Sequence, residues 1–160
     1  ATGVPVELFL LVTDVPDTIA GDLADAAHIS LQPFGIGQAD LLYEFDLATG
    51  EGTVVGPLGI DVGTSGLAWD CTTQTMYGAD GTGDRVFEID LTTGAATNVQ
   101  NTSVDFGAVG LEFDRASGLL YGSTGSALYT IDPTNGRSTY VGSLRSAQSA
   151  DDLAWHPVCP

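Results

Sequence analysis

Few residues of this 160-residue sequence combine the types and the spacing that chemistry requires. One candidate is a loop in which Asp80, Thr82 and Asp84 alternate with glycines. Two carboxylates and a hydroxyl so close together offer the oxygen ligands that Ca²⁺ prefers. The loop occurs once and lacks the EF-hand spacing, so it predicts either a calcium site or a solvated turn.

Catalysis has weaker candidates. Nucleophilic catalysis needs a nucleophile within reach of a base, and His28 and His156 are the only histidines. His156 stands where two related segments have an aspartate, and His28 lies at the end of a predicted helix. Structural roles are therefore predicted for both. No Gly-x-Ser-x-Gly, P-loop or His-Glu-x-x-His motif occurs. The sequence therefore predicts a protein that is not an enzyme, with no catalytic or cofactor-binding residues.

The elements that must position these residues form a repeat. A Gly-Leu-x-aromatic-Asp motif and its variants recur at spacings of 44 and 42 residues, at residues 66–70, 110–114 and 152–156. A second motif, an aromatic followed by two residues and Asp, has the same spacings, at residues 43–46, 87–90 and 129–132. Alternation within each period indicates four antiparallel strands, which is a β-propeller blade in an all-β fold.

These motifs carry a resemblance. Gly66-Leu67-Ala68-Trp69-Asp70 followed by Met76-Tyr77-Gly78-Ala79-Asp80 resembles the inner-strand and second-strand signature of six-bladed YWTD and NHL propellers. The segment from Leu128 to Gly142 is similar to repeats in secreted bacterial propeller proteins of unknown function. The second strand reads Tyr-Gly where the YWTD family has Tyr-Trp-Thr-Asp. The resemblance covers roughly residues 28 to 157 and implies architecture only.

Twelve strands, or about three blades, are predicted for residues 28–160, because the inner strand expected near Leu23 lacks its aromatic residue. A closed propeller needs roughly four to eight blades. The last strand, with Leu153 and Trp155, therefore has no blade of its own and is predicted to complete the first blade of another copy. A closed oligomer, an open filament and a fragment of a longer propeller remain alternatives.

An N-terminal arm is predicted for residues 1–27, as an apolar strand followed by a short helix. Its strand contains Val6, Leu8 and Leu10, and an apolar edge of this kind needs a cover. The arm is predicted either to pack on its own subunit or to add to a neighbouring subunit by β-augmentation. In the second case these side chains belong to an interface.

Charge and cysteines describe the setting. The formal net charge is −17 and no lysine occurs, which disfavours binding to nucleic acid, and no apolar run is long enough for a membrane span. The sequence favours an extracellular or secreted location. Cys71 and Cys159 are separated by two repeats, so they are predicted to form an intermolecular disulfide after strand exchange or to remain two separate thiols.

Together these features predict a non-catalytic extracellular structural or assembly protein. It would self-associate through its incomplete blades, as a closed oligomer or a filament, and would need no cofactor other than Ca²⁺ in the loop described above. The alternative is a lectin-like propeller that binds carbohydrate or protein through repeated aromatic residues. Those aromatics occur at Tyr43, Phe87 and Tyr129 and at Trp69, Phe113 and Trp155, where alternation with small or polar residues favours packing.

Overall fold

The structure, a computed structural model, describes residues 33–37, 39–107, 109–144 and Leu153. All of the regular elements in these ranges are β-strands, and none of the described residues belongs to a helix that could cross a membrane. The strands form three antiparallel sheets, in which each strand pairs with the next one along the chain. This is the arrangement of propeller blades.

The first blade has three strands and the other two have four. The first contains β1 (Phe34–Gly37), β2 (Leu41–Phe45) and β3 (Gly52–Pro57). The second contains β4 (Ser65–Asp70), β5 (Thr75–Asp80), β6 (Arg85–Ile89) and β7 (Ala96–Asn101). The third contains β8 (Gly110–Asp114), β9 (Leu119–Ser123), β10 (Ala127–Ile131) and β11 (Ser138–Ser143). The prediction of repeating four-stranded units is confirmed.

Two hydrophobic cores lie between successive blades. The first core joins the first and second blades and includes Ile36, Leu67 and Phe87. The second core joins the second and third blades and includes Ala68 and Leu111. Leu67 and Ala68 are neighbours in β4 and enter different cores, because successive side chains of a strand point to opposite faces of the sheet. The alternating pattern of the sequence follows from this sandwiching of each blade.

The strands β1, β5 and β9 are equivalent, and each has a glycine at the same place, where the Tyr-Trp-Thr-Asp motif has a side chain. Gly78 pairs with Phe87 across β5 and β6. A Cβ atom at position 78 would lie 2.4 Å from Cε2 of Phe87, whose side chain is 1% exposed. Gly35 and Gly122 pair in the same way with Tyr43 and Tyr129. At Gly78 the missing side chain makes room for the ring of Phe87, whereas a Cβ on Gly122 would lie 2.8 Å from Cδ1 of Ile131 and 3.0 Å from Cε1 of Phe106.

The outer strand of every blade carries an irregularity at the same place. Val55 of β3 and Val141 of β11 have no partner in the register of the preceding strand, and the register between β6 and β7 shifts at the equivalent position. Such bulges twist a strand and make its free edge a poor template for further pairing. The outer rim of the blades is therefore protected against edge-to-edge association.

Some predicted elements lie outside the described residues. These are the N-terminal arm of residues 1–27 with Val6, Leu8 and Leu10, and most of the twelfth strand, including Trp155. Leu153 is described, is half-buried and lies outside the eleven strands. Both histidines also lie outside the described residues.

Candidate functional site

Two equivalent aspartates connect each blade to the next at one end of the sheets. Asp40 follows β1 and Asp84 follows β5, which are equivalent strands of the first and second blades. Their φ angles are 54° and 52°. Oδ1 of Asp40 accepts a hydrogen bond from the backbone N–H of Val62 at 2.9 Å, and Oδ1 of Asp84 accepts one from that of Phe106 at 3.0 Å. Each carboxylate thus fixes the connection that leads to the next inner strand.

Asp80 and Arg85 form a partly buried ion pair at the same end of the second blade. The Asp80 side chain is fully buried, and its Oδ2 accepts hydrogen bonds from two nitrogens of Arg85, of which Nε is 3.1 Å away. Its Oδ1 accepts the backbone N–H groups of Thr82 at 2.9 Å and Gly63 at 3.2 Å. The guanidinium also donates to the backbone carbonyl of Asp61 at 2.6 Å. The pair thereby joins two loops.

These bonds determine the charge of Asp80. Burial raises the pKa of its carboxyl, but the hydrogen bonds from Arg85 and from backbone N–H groups outweigh burial and lower that pKa overall. The carboxylate is therefore ionised and fully occupied by protein donors at neutral pH.

The same contacts bear on the calcium prediction for Asp80, Thr82 and Asp84. Both oxygens of Asp80 have protein partners, and one oxygen of Asp84 binds the connection to the third blade. In the part of the chain that the structure describes, no three His, Cys, Asp or Glu residues are grouped so as to hold a metal ion. A cation at this loop would have to compete with a guanidinium for Asp80.

The aspartates that end the third strands close tight turns. Oδ1 of Asp90 accepts the backbone N–H of Thr92 at 2.8 Å, and Oδ1 of Asp132 accepts that of Thr134 at 2.9 Å. Asp46 makes the same contact with Ala48 at 2.7 Å. The pKa values of Asp90 and Asp132 are lowered, chiefly by hydrogen bonds from the threonine hydroxyl groups. These carboxylates serve the turns, as their position before a glycine indicates.

Most of the repeated aromatic residues pack inside the cores. Phe87 is buried, Phe113 stacks on Tyr77 with ring centroids 5.2 Å apart, and Tyr129 packs against the second core. Trp69 packs against the first core. Rings used in this way are not available as sugar platforms, and Trp155 lies outside the described residues. The carbohydrate-binding alternative therefore gains no support from these positions.

Cys71, which directly follows β4, is disulfide-bonded. The alternative of two separate thiols is therefore wrong for Cys71. The sequence contains one other cysteine, Cys159, which lies outside the described residues. The structure holds a single chain, so a bonded Cys71 does not depend on a second copy. Whether a bridge to Cys159 runs within one chain or between two chains stays a prediction.

The first blade is incomplete at its inner side. Among the described strands, β1 pairs only with β2, whereas the equivalent strands β5 and β9 lie between two neighbours. Phe34 and Ile36 of β1 are nevertheless 8% and 2% exposed. The position beside β1 corresponds to the places of β4 and β8 in their own blades.

Comparisons with known proteins agree with this architecture. A protein of unknown function from Bacteroides thetaiotaomicron is 21% identical, with a TM-score of 0.57 over 71% of this chain and 31% of its own. A nidogen/laminin complex gives 20% identity and a TM-score of 0.59 over 79% and 48% of the respective chains. Hydrazine synthase of Kuenenia stuttgartiensis gives 14% identity and a TM-score of 0.54 over 84% and 40%. No protein-family model and no curated protein matches the sequence.

These likenesses define the fold class and nothing finer. The chain is an all-β protein built of propeller blades, and its resemblance to YWTD-like and NHL-like repeats is confirmed. It spans less than half of the length of each of these solved structures.

Sequence reasoning did not identify Asp40 and Asp84 as a pair. The signal was available, because the two residues are 44 positions apart and their partners Val62 and Phe106 are 44 apart as well. The third blade has Ser126 at the corresponding place, so the pattern is visible in two repeats only. Its function as an acceptor for a residue 22 positions later depends on the fold.

Proposed function

We propose that this protein is a non-catalytic extracellular assembly protein, in which the C-terminal repeat of one copy completes the first blade of another. One observation carries the proposal: among the described residues, the first blade has three strands with none at the inner place, whereas the second and third blades have four. A propeller blade with an open inner side has unpaired backbone groups where its neighbours have a strand.

The donor strand in this proposal is the third copy of the inner-strand motif. Residues 152–156 repeat the pattern of β4 and β8, with Trp155 at the place of Trp69 and Phe113. Cys159 follows this copy closely, as Cys71 follows β4. A disulfide between the two cysteines would hold the donated strand beside β4. β4 is the inner strand of the second blade, which lies next to the incomplete first blade. The bonded state of Cys71 supports an oxidising compartment.

The outer strands offer a poorer route to association. Each of them has a bulge at the same register position, which interrupts the hydrogen-bonding edge. Among the described residues, no bulge and no further strand lies at the inner side of the first blade. Association by strand exchange at the inner side therefore fits the pattern of protected and unprotected edges better than lateral stacking of blades.

The non-catalytic part of the proposal depends on how the carboxylates are used. Asp40, Asp80 and Asp84 bind backbone N–H groups or a guanidinium, and Asp90 and Asp132 close turns. Groups with such fixed structural partners are poor general acids or bases.

Removal of residues 151–160 tests the proposal. We expect the truncated protein to lose assembly in sedimentation velocity and light scattering over a wide concentration range. Trp155→Phe is the matched control, because the third blade already has phenylalanine at this place, and it should assemble like the intact protein. A truncated protein with the mass of the intact assembly, or an intact protein that is monomeric at all concentrations, would contradict the proposal.

A further inference from the structure

The first blade presents an apolar face on the side away from the first core. This leading face consists of Tyr43, Phe45 and Leu47. The rings of Tyr43 and Phe45 stack with centroids 6.4 Å apart and an interplanar angle of 27°. Both rings are half-buried, Leu47 is 42% exposed, and none of the three belongs to either core.

The equivalent positions of the other blades are covered by a preceding blade. Phe45 corresponds to Ile89 and Ile131, which are 6% and 0% exposed. Leu47 corresponds to Leu91, which packs against the first core, and to Pro133, which is buried. The leading face thus has the chemistry of a blade-to-blade contact surface and lacks a blade among the described residues.

The turn glycines show the same difference. In the second blade, a Cβ on Gly94 would lie 2.5 Å from the carbonyl oxygen of Gly56 in the preceding blade. In the third blade, a Cβ on Gly136 would lie 2.2 Å from the carbonyl oxygen of Asn101 in the preceding blade. Gly50, at the same place in the first blade, has nothing within 4 Å of such an atom. The turn that abuts an outer strand in two blades is therefore open in the first.

We infer that the leading face binds the third blade of a second copy of this chain, so that the blades of two copies continue in one series. The inference rests on the proposed function, since it names the surface through which that assembly closes. The repeats themselves indicate the occupant, because the equivalent faces in the second and third blades bind the far face of the blade before them.

The third blade has a suitable complementary face. Leu128 of β10 is half-buried, whereas its equivalent Val86 in the second blade is 1% exposed inside the second core. Leu128 therefore lies on a face that is less covered at this position than the same face of the second blade. Burial of this apolar side chain against a second copy would favour association.

Two variants of the intact chain test the inference. Leu47→Glu places a charge on the leading face at an exposed position, so folding should tolerate it, and we expect the association constant to fall by about tenfold or more. Val141→Glu is the matched control, because Val141 is 52% exposed and lies at the bulge of the outer strand. Its association should equal that of the wild type in sedimentation equilibrium.

A photo-crosslinking residue at position 47 identifies the occupant in a mixture of ¹⁵N-labelled and unlabelled chains. We expect cross-links between chains that join position 47 to residues 119–131. Cross-links within one chain, to residues 1–32 for example, would overturn the inference in favour of the protein's own arm. Equal association of both glutamate variants would overturn it while the proposed function stands. A wild-type protein that never associates would overturn both.

Discussion

At the residue scale, the acidic side chains of this protein serve as acceptors for backbone N–H groups. Asp40 and Asp84 hold the connections between blades, Asp80 binds Arg85, and Asp114 ends β8 with a bond from the hydroxyl of Ser117 at 2.7 Å. A strongly acidic composition is compatible with a compact fold here because these carboxylates have donors within a few residues or across one blade boundary. The carboxylates named here therefore contribute to the negative charge and also have a structural role.

Asp80→Asn should lower the free energy of unfolding by about 2 kcal/mol at neutral pH, because a charge-assisted hydrogen-bond network is lost and Arg85 remains. The lowered pKa of Asp80 gives the sign of the pH dependence. Its contribution is present above the unfolded pKa, near 4, and is lost as the pH falls through the folded pKa. The difference between variant and wild type in urea unfolding should therefore shrink below about pH 4.

Asp61→Asn is the control for this measurement. Asp61 is exposed and contacts Arg85 through its backbone carbonyl, so the substitution should change stability by less than about 0.5 kcal/mol. A difference for Asp80→Asn that stays constant down to strongly acidic pH would show that the charge of Asp80 does not contribute.

At the element scale, the strands could be predicted because each core position recurs with one period. Three aromatic-x-x-Asp segments and the Gly-Leu-x-aromatic-Asp segments were sufficient to place the blades. The bulges in the outer strands and the acceptor role of Asp40 were not predictable in this way. Both depend on which strand lies beside another in space, and a bulge leaves no fixed residue type: Val55 and Val141 look like ordinary strand residues.

Gly78→Ala should destabilise the protein by about 1–3 kcal/mol, because the new methyl group overlaps the ring of Phe87 in a filled core. Gly142→Ala provides the control, since nothing lies within 4 Å of the added atom in β11. Its stability in thermal and urea unfolding should stay within about 0.5 kcal/mol of the wild type. Similar losses for both variants would mean that the close approach of Gly78 and Phe87 is not what requires glycine.

At the scale of the whole molecule, the open question is how a chain with three blades satisfies both ends of the series. Among the described residues, the first blade has no inner strand and no blade covers its leading face, while Cys71, which follows β4, is bonded. The sequence predicts the loss of this strand from the degenerate segment near Leu23, which lies outside the described residues. It could not predict the leading face, because exposure of Leu47 is a property of the assembled blades.

Non-reducing electrophoresis of the intact protein tests the link between the disulfide and assembly. With strand exchange we expect a covalent dimer or ladder that collapses on reduction, and Cys71→Ser should give monomers without reductant. A single monomeric band that holds one intrachain bridge by mass spectrometry would instead show that the C-terminal repeat returns to its own chain. Thermal unfolding with and without reductant provides the control for a purely stabilising role of the bridge.

The turns after the third strands have a consequence for how such a protein could arise. Asp90 and Asp132 each bind the N–H and hydroxyl of a threonine two residues later, and a glycine with positive φ ends each turn. Every repeat thus carries its own complete corner, made without help from the rest of the molecule. A duplicated gene segment of one repeat length would deliver a hairpin that needs no new partner to form. Adding a whole repeat to the chain therefore requires no new contact for the turn itself. The first and last repeats are then the ones that need new contacts.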